Sequence, residues 1–220
     1  MWYNCYIEKE GNYMDKFVIA ITRTCGSGGT TIGNMLAKDF GINMYDRELL
    51  RLASDDSGIN EALFANADEG VKNSLLYKVS KKVYNGELIP PESNDFTSND
   101  NLFNYQAKVL RELAETESYV VIGRCADYIL KDNPNVFKIF IHASEDYCIK
   151  HEMDILGASE KEAIKEIKKL NKYRSEYYYY HTGKKWEDVK NYDLSLDTSK
   201  LGFEKCVKYI KEYIKLRIES

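Results

Sequence analysis

Phe17 to Phe40, FVIAITRTCGSGGTTIGNMLAKDF, constrains this chain more than any other stretch. Its apolar run Val18-Ile19-Ala20-Ile21 reads as a buried strand. The run stops in Gly26-Ser27-Gly28-Gly29, after which Ile32, Leu36 and Phe40 recur at helical spacing. A strand, a glycine turn and a helix in direct succession bring backbone N–H groups to one point at a helix N-terminus. That point carries partial positive charge, so the turn can hold a phosphate chain.

Set against G-x-x-x-x-G-K-[ST], the window is Thr24-Cys25-Gly26-Ser27-Gly28-Gly29-Thr30-Thr31. Gly29 and Thr31 match, whereas Thr24 stands for the first glycine and Thr30 for the lysine. Thr31 falls where the hydroxyl of such a loop reaches Mg²⁺. A purely structural turn would use the same glycines, and it is the strand–turn–helix context that favours a phosphate site. Cys25, close to a helix N-terminus, is expected to have some thiolate character, although no base is assigned to it.

The 220 residues are enough for one α/β domain with insertions. A net charge of −4 argues against a general nucleic-acid or membrane-surface binder. No apolar run approaches the roughly 18 residues of a spanning helix, and nothing resembles a signal peptide. The five cysteines (Cys5, Cys25, Cys125, Cys148, Cys206) are scattered without a C-x-x-C pair, so reduced thiols are expected rather than a disulfide framework or metal site. A cytoplasmic protein with no nucleic-acid or membrane partner is the expectation, and oligomeric state is left open.

Residues 1–15 lack a clear period and read as an N-terminal extension or surface strap ahead of a single domain over 16–220. Gly41 is a C-cap candidate, and Ile42 to Tyr45 a short strand ending at Asp46-Arg47, with a helix starting at Glu48. Ligand crevices of open parallel sheets lie beyond the carboxyl ends of strands, which places Asp46 at such an edge, or makes it a helix cap. Residues 56–104 are irregular, with a helical segment around Val71–Val83 and then Pro90, Pro91 and a polar run. They read as an insertion over the crevice rather than as a linker.

Leu102–Glu117 returns to helix, Tyr119–Ile122 is a strand ending in Gly123-Arg124, and Cys125–Leu130 is a helix. Val136–Ile141 is a further strand ending at His142, which could donate to a phosphate. Ser144 caps a helix to Leu156, and Ser159-x-x-Glu162 is a capping box for a long basic helix. That helix is expected to end near Lys172 and Arg174, before Tyr177–Tyr180, which either pack at a hinge or stack on a base. Asp193–Asp197 reads as the last strand, followed by a helix with Phe203, Val207, Ile210 and Ile214 on one stripe. Strands alternating with helices argue for a doubly wound parallel sheet. Arg23, Arg47, Arg124 and Arg174 all fall near expected strand ends or on the basic helix, so they could converge.

Strand-GSGG-helix, YDRELL (45–50), VVIGRCADYIL (120–130), NKYRSEYYYYHTGKKW (171–186) and YDLSLDTSKLG (192–202) form an ordered set. In this the chain resembles the cytidylate-kinase-like family of P-loop proteins, relatives of the nucleoside monophosphate kinases. The resemblance implies a three-layer α/β/α P-loop fold with a five-stranded parallel sheet, an acceptor-binding insertion (56–104) and a lid region (144–190). It implies ATP-dependent phosphoryl transfer to a nucleoside monophosphate, CMP or dCMP, with ATP and Mg²⁺ as cofactors. Gly26, Ser27, Gly28, Gly29, Thr30 and Thr31 would hold the ATP phosphates with Arg23 beside them, and Thr31 would also reach the metal. Asp46, Arg47 and Arg124 would meet the acceptor, while Arg124, Lys172 and Arg174 would act on the transferring group. The chain departs from the family in carrying Asn171 where Asp is common before the lid lysine, and Thr30 where Lys or Arg is common. An alternative expectation is therefore a nucleotide-binding regulatory protein with little or no turnover, or a kinase for a non-nucleotide metabolite.

Overall fold

The computed structural model describes residues 16–46, 52–53, 63, 87–89, 93, 95 and 97–219. The expected extension over 1–15, the helix over 71–83, most of the insertion and Arg47 lie outside the described residues.

Strands β1 (Val18–Arg23), β2 (Asn43–Tyr45), β3 (Tyr119–Ile122), β4 (Val136–His142) and β5 (Leu194–Asp197) form one sheet of order β2-β3-β1-β4-β5. Every pairing is parallel, and Ile21 sits opposite both Ile122 and Ile139. Helices α1 (Gly29–Phe40), α2 (Asn99–Thr116), α3 (Ala126–Ile129), α4 (Glu145–Leu156) and α5 (Glu160–Thr182) connect the strands. Two more, α6 (Thr198–Leu201) and α7 (Phe203–Ile218), close the chain.

Period-two alternation sorts the strand residues between two cores. Ile19, Ile21, Val120, Ile122, Ile139 and Ile141 face α1 and α7, where Ile32, Leu36, Ile210 and Ile214 meet them. Val18, Ala20, Tyr119, Val121 and Phe140 face the other way, toward Leu102 and Leu110 of α2 and Tyr177 and Tyr178 of α5. Burial on both faces explains why these strands read as unbroken apolar runs. Each fully buried Ile or Leu, such as Ile32 and Leu36, contributes roughly 1.5–3 kcal/mol. The layers are α/β/α about a five-stranded parallel sheet, the arrangement that the P-loop resemblance implies.

Local signals fix most boundaries. Gly41 ends α1 at φ 68°, Ser144 caps α4 through the Tyr147 amide, and Ser159 with Glu162 forms the capping box of α5. Two boundaries differ from the sequence expectation by more than a residue. The first is the start of α2, at Asn99 instead of Leu102, where Ser98 caps it by accepting from the Asn101 amide. In the second, helix α5 does not end near Arg174 but continues through the four tyrosines to Thr182, where Gly183 terminates it. Aromatic residues are mediocre helix formers, but here Tyr177, Tyr178 and His181 are buried, and tertiary packing overrides propensity. No helix among the described residues is long and apolar enough to cross a membrane.

Candidate active site

The glycine turn lies at the carboxyl end of β1, the central strand. Gly26 and Gly28 both take φ 78°, a left-handed conformation that side chains resist, and a methyl group on Gly28 would overlap the Phe203 ring. Gly28 is also the N-cap of α1. No side chain caps this helix, and its first turn holds no acidic residue. The partial positive charge of its open amides is thus left for an anion. Thr30 and Thr31 are exposed at this mouth.

Behind the mouth the loop is fastened from several elements. The buried Ser27 hydroxyl lies 2.8 Å from the Thr24 carbonyl and 3.2 Å from that of Ile141. Thr198 Oγ1 donates to the Ser27 carbonyl at 2.8 Å, and His151 Nδ1 donates to that of Gly26 at 2.9 Å. The Cys25 amide donates to Asn171 Oδ1 at 2.8 Å, so α5 holds the start of the loop. Ser27, expected among the phosphate ligands, therefore turns its side chain inward. Thr198 and the role of Asn171 were not foreseen, because both act across long sequence separations.

On the neighbouring strand, β3 ends in a turn with Gly123, Arg124 and Cys125 at φ 73°, 59° and 54°. The Gly123 amide donates to the Ile21 carbonyl at 2.8 Å, tying this turn to β1. Arg124, its side chain 7% exposed, lies 3.9 Å from Asp46 at the end of β2. Strands β2, β3 and β1 thus deliver a carboxylate, a guanidinium and a cup of amides to one edge of the sheet.

Two cations expected from the basic helix part company. Arg174 Nη1 donates to the Arg23 carbonyl at 3.3 Å, beside the loop. The Lys172 side chain is 76% exposed and lies 3.9 Å from Glu176. The structure brings Arg174, not Lys172, against the site. Positions i and i+2 of a helix are rotated by about 200°, so one face cannot present both Lys172 and Arg174.

Cys25 departs from expectation. Burial pushes its thiol up to about 12, outweighing the opposing Arg174 guanidinium, and the thiolate form is suppressed. His142 stacks on Phe140 with ring centroids 5.9 Å apart. Beneath the Arg124 turn, the Tyr178 hydroxyl donates to Asp127 Oδ2 at 2.6 Å. Burial raises the Asp127 carboxyl to about 6 despite that bond. Of the four tyrosines, Tyr177 and Tyr178 are core residues, Tyr180 bonds Asp100 at 2.9 Å, and Tyr179 is exposed. No group of three or more His, Cys, Asp or Glu side chains suited to hold a metal occurs among the described residues.

Residues 18–200 match the family described as the cytidylate kinase-like family. The chain belongs to this family. A cytidylate kinase from Fusobacterium nucleatum subsp. nucleatum is 23% identical over 221 residues, covering 91% of this chain and 98% of the relative. Among solved structures, an uncharacterized protein from Eubacterium ventriosum superposes with a TM-score of 0.69 at 28% identity, covering 91% of this chain and 99% of that one. The shikimate kinase of Bacteroides thetaiotaomicron, at TM-score 0.50 and 16% identity over 90% of this chain and 98% of that one, shares the fold. The cytidylate kinase-like match begins at the first residue of β1 and ends within α6. It therefore spans the glycine turn, Asp46, the Arg124 turn and α5.

Proposed function

We propose that this chain transfers the terminal phosphoryl group of ATP to a nucleoside monophosphate, with CMP or dCMP as acceptor, in the cytoplasm. One observation carries this: an uncapped helix start at the end of β1 stands beside the Arg124–Asp46 pair on the adjoining strands, in a member of the cytidylate kinase-like family.

The residues present fit ATP with Mg²⁺. The amides of Gly28 to Thr31 surround a point with no competing carboxylate in the first turn of α1, and the exposed Thr31 hydroxyl is available to the metal. When bound, ATP supplies the phosphoryl group and Mg²⁺ neutralises its oxygens. Phosphoryl transfer asks the protein for in-line positioning and positive charge, not covalent work. Arg124 offers a planar fork to the acceptor phosphate, and Asp46 orients that fork. Arg47 is assigned to the acceptor with them. Arg174 reaches the transferring group from α5, and Lys172 joins it only if the lid rotates on closing. A closing lid excludes water, which would otherwise consume ATP.

Incubating purified protein with ATP–Mg²⁺ and a panel of monophosphates is the test. ADP and a nucleoside diphosphate are the expected products, with CMP and dCMP the preferred acceptors. Thr30 in the lysine position favours a second reading, a protein that binds nucleotide without turning it over. Calorimetric binding of ATP together with no product from any acceptor would select that second reading. Sugars and small hydroxy acids belong in the panel, since product from one of them would mark a non-nucleotide kinase.

A further inference from the structure

We propose that Arg23 supplies, from the end of β1, the positive charge on the nucleotide phosphates that the loop lacks at Thr30. This rests on the phosphate-loop reading above and names the group that makes it workable.

Arg23 is the last residue of β1 and falls, by alternation, on the same face as Ile19 and Ile21, toward α1. Its side chain takes a defined route. A methyl carbon on Gly29 would lie 2.5 Å from Arg23 Cβ and 2.8 Å from Cγ. A methyl carbon on Gly123 would lie 2.5 Å from Arg23 Nη1. Gly29 opens α1 and Gly123 opens the Arg124 turn. The Arg23 stem therefore passes against the first residue of the helix, and its guanidinium rests over the end of β3. It thus lies between the first residue of α1 and the turn that carries Arg124, on the side from which a phosphoryl group would pass from the glycine turn toward an acceptor.

Both glycines are places where a side chain would collide with this route. The main chain of Arg23 is held as well, because its carbonyl accepts from Arg174 Nη1 at 3.3 Å. Arg23 is half-buried, so its charge is screened less than that of the exposed Lys172. A loop lysine at position 30 would reach the phosphates from the helix side as a point charge. A guanidinium arriving from the strand side can bond two phosphate oxygens at once. Thr30, short and neutral, leaves that space open.

Calorimetry with ATP, ADP and AMP on four proteins tests the assignment: wild type, Arg23→Gln, Thr30→Lys and the double variant. Charge-assisted hydrogen bonds predict roughly a 10- to 100-fold loss of ATP affinity in Arg23→Gln. AMP, which does not extend toward the acceptor, should lose less. Thr30→Lys should restore most of the loss in the Arg23→Gln background, yet tighten ATP less than threefold in the wild-type background, because the two cations serve one role. ATP affinity within twofold of wild type in Arg23→Gln would overturn the proposal. So would a tenfold gain from Thr30→Lys alone, an outcome that needs no Arg23 variant to fold. Absence of ATP binding to wild type at millimolar concentration is a different result, and would remove the phosphate-loop reading itself.

Discussion

Arg124 is held at φ 59° with its side chain almost fully covered, and Cys125 follows at φ 54°. Left-handed backbone costs a non-glycine residue roughly 1–2 kcal/mol, and glycine at position 124 would not bear that cost. Strain of this kind at the end of a strand, beside the glycine turn, fits the role proposed for Arg124 as a positioned guanidinium. The expected outcome for Arg124→Gly follows. Relief of backbone strain offsets only part of what the covered side chain and its Asp46 contact contribute, so unfolding free energy by urea falls by roughly 1–3 kcal/mol. Affinity for the monophosphate acceptor falls at least tenfold on the same protein. A variant that is strongly destabilised yet binds acceptor normally would make Arg124 a packing residue. Cys25 gives the opposite lesson at the same scale. Its place near a helix N-terminus suggests an acidic thiol, but burial behind the loop raises it in spite of the nearby Arg174 guanidinium.

Helix α5 joins the parts of the site that the sheet leaves separate. Asn171, Arg174 and Tyr178, spaced three and four residues apart, lie on one face and reach the Cys25 amide, the Arg23 carbonyl and Asp127 in turn. The helix thereby fixes the loop relative to the Arg124 turn. Asn171→Leu removes the acceptor for the Cys25 amide and leaves a buried donor unpaired, which costs about 1–3 kcal/mol. For a chain of this size that is a melting-temperature drop of roughly 2–10 °C. Asn171→Asp keeps the acceptor and should melt within about 2 °C of wild type, while its added negative charge near the loop weakens ATP binding. Equal melting of the leucine and aspartate variants would show that the 2.8 Å bond is not what positions the loop. Much of the element level was legible in sequence. Runs such as VIAI and YVVI declared buried strands, and Gly41, Ser144 and the Ser159–Glu162 box acted through neighbours a few residues away. The course of α5 past Arg174 was not legible, because what sustains YYYYHT as helix is the distant core beneath it. For the same reason the sequence named Lys172 and Arg174 together. Only the docking of the helix decides which one faces the loop.

At the scale of the whole molecule, two buried titratable groups on the α2–α3–α5 side of the sheet oppose each other in their dependence on pH. His181 lies between Phe103, stacked at 3.8 Å, and Tyr177 at 4.6 Å, and burial lowers its pKa to about 3. The unfolded chain therefore takes up this proton first. The stability His181 contributes is complete above about pH 6.5 and is lost as pH falls from there toward 3. Asp127, raised to about 6 by burial, has the reverse sign. The folded state holds its proton more tightly than the unfolded chain, so that contribution is complete below about pH 4 and is lost as pH rises through 6. Between pH 5 and 7 the two partly cancel, the His181 contribution being the larger, so the wild-type profile understates both. Replacing one group exposes the other. His181→Phe keeps a ring in the stack and removes the basic nitrogen. On moving from pH 7 to pH 5, its urea-derived unfolding free energy should rise relative to wild type by about 2 kcal/mol. The absolute stabilities of the two proteins do not enter that comparison, only the difference in their pH slopes. A slope difference below about 0.5 kcal/mol would mean that His181 titrates as an exposed imidazole does. In that case the aromatic layer packing α5 against α2 would be open to water. The positioning of Arg174 and Asn171 by that helix would then lose its support.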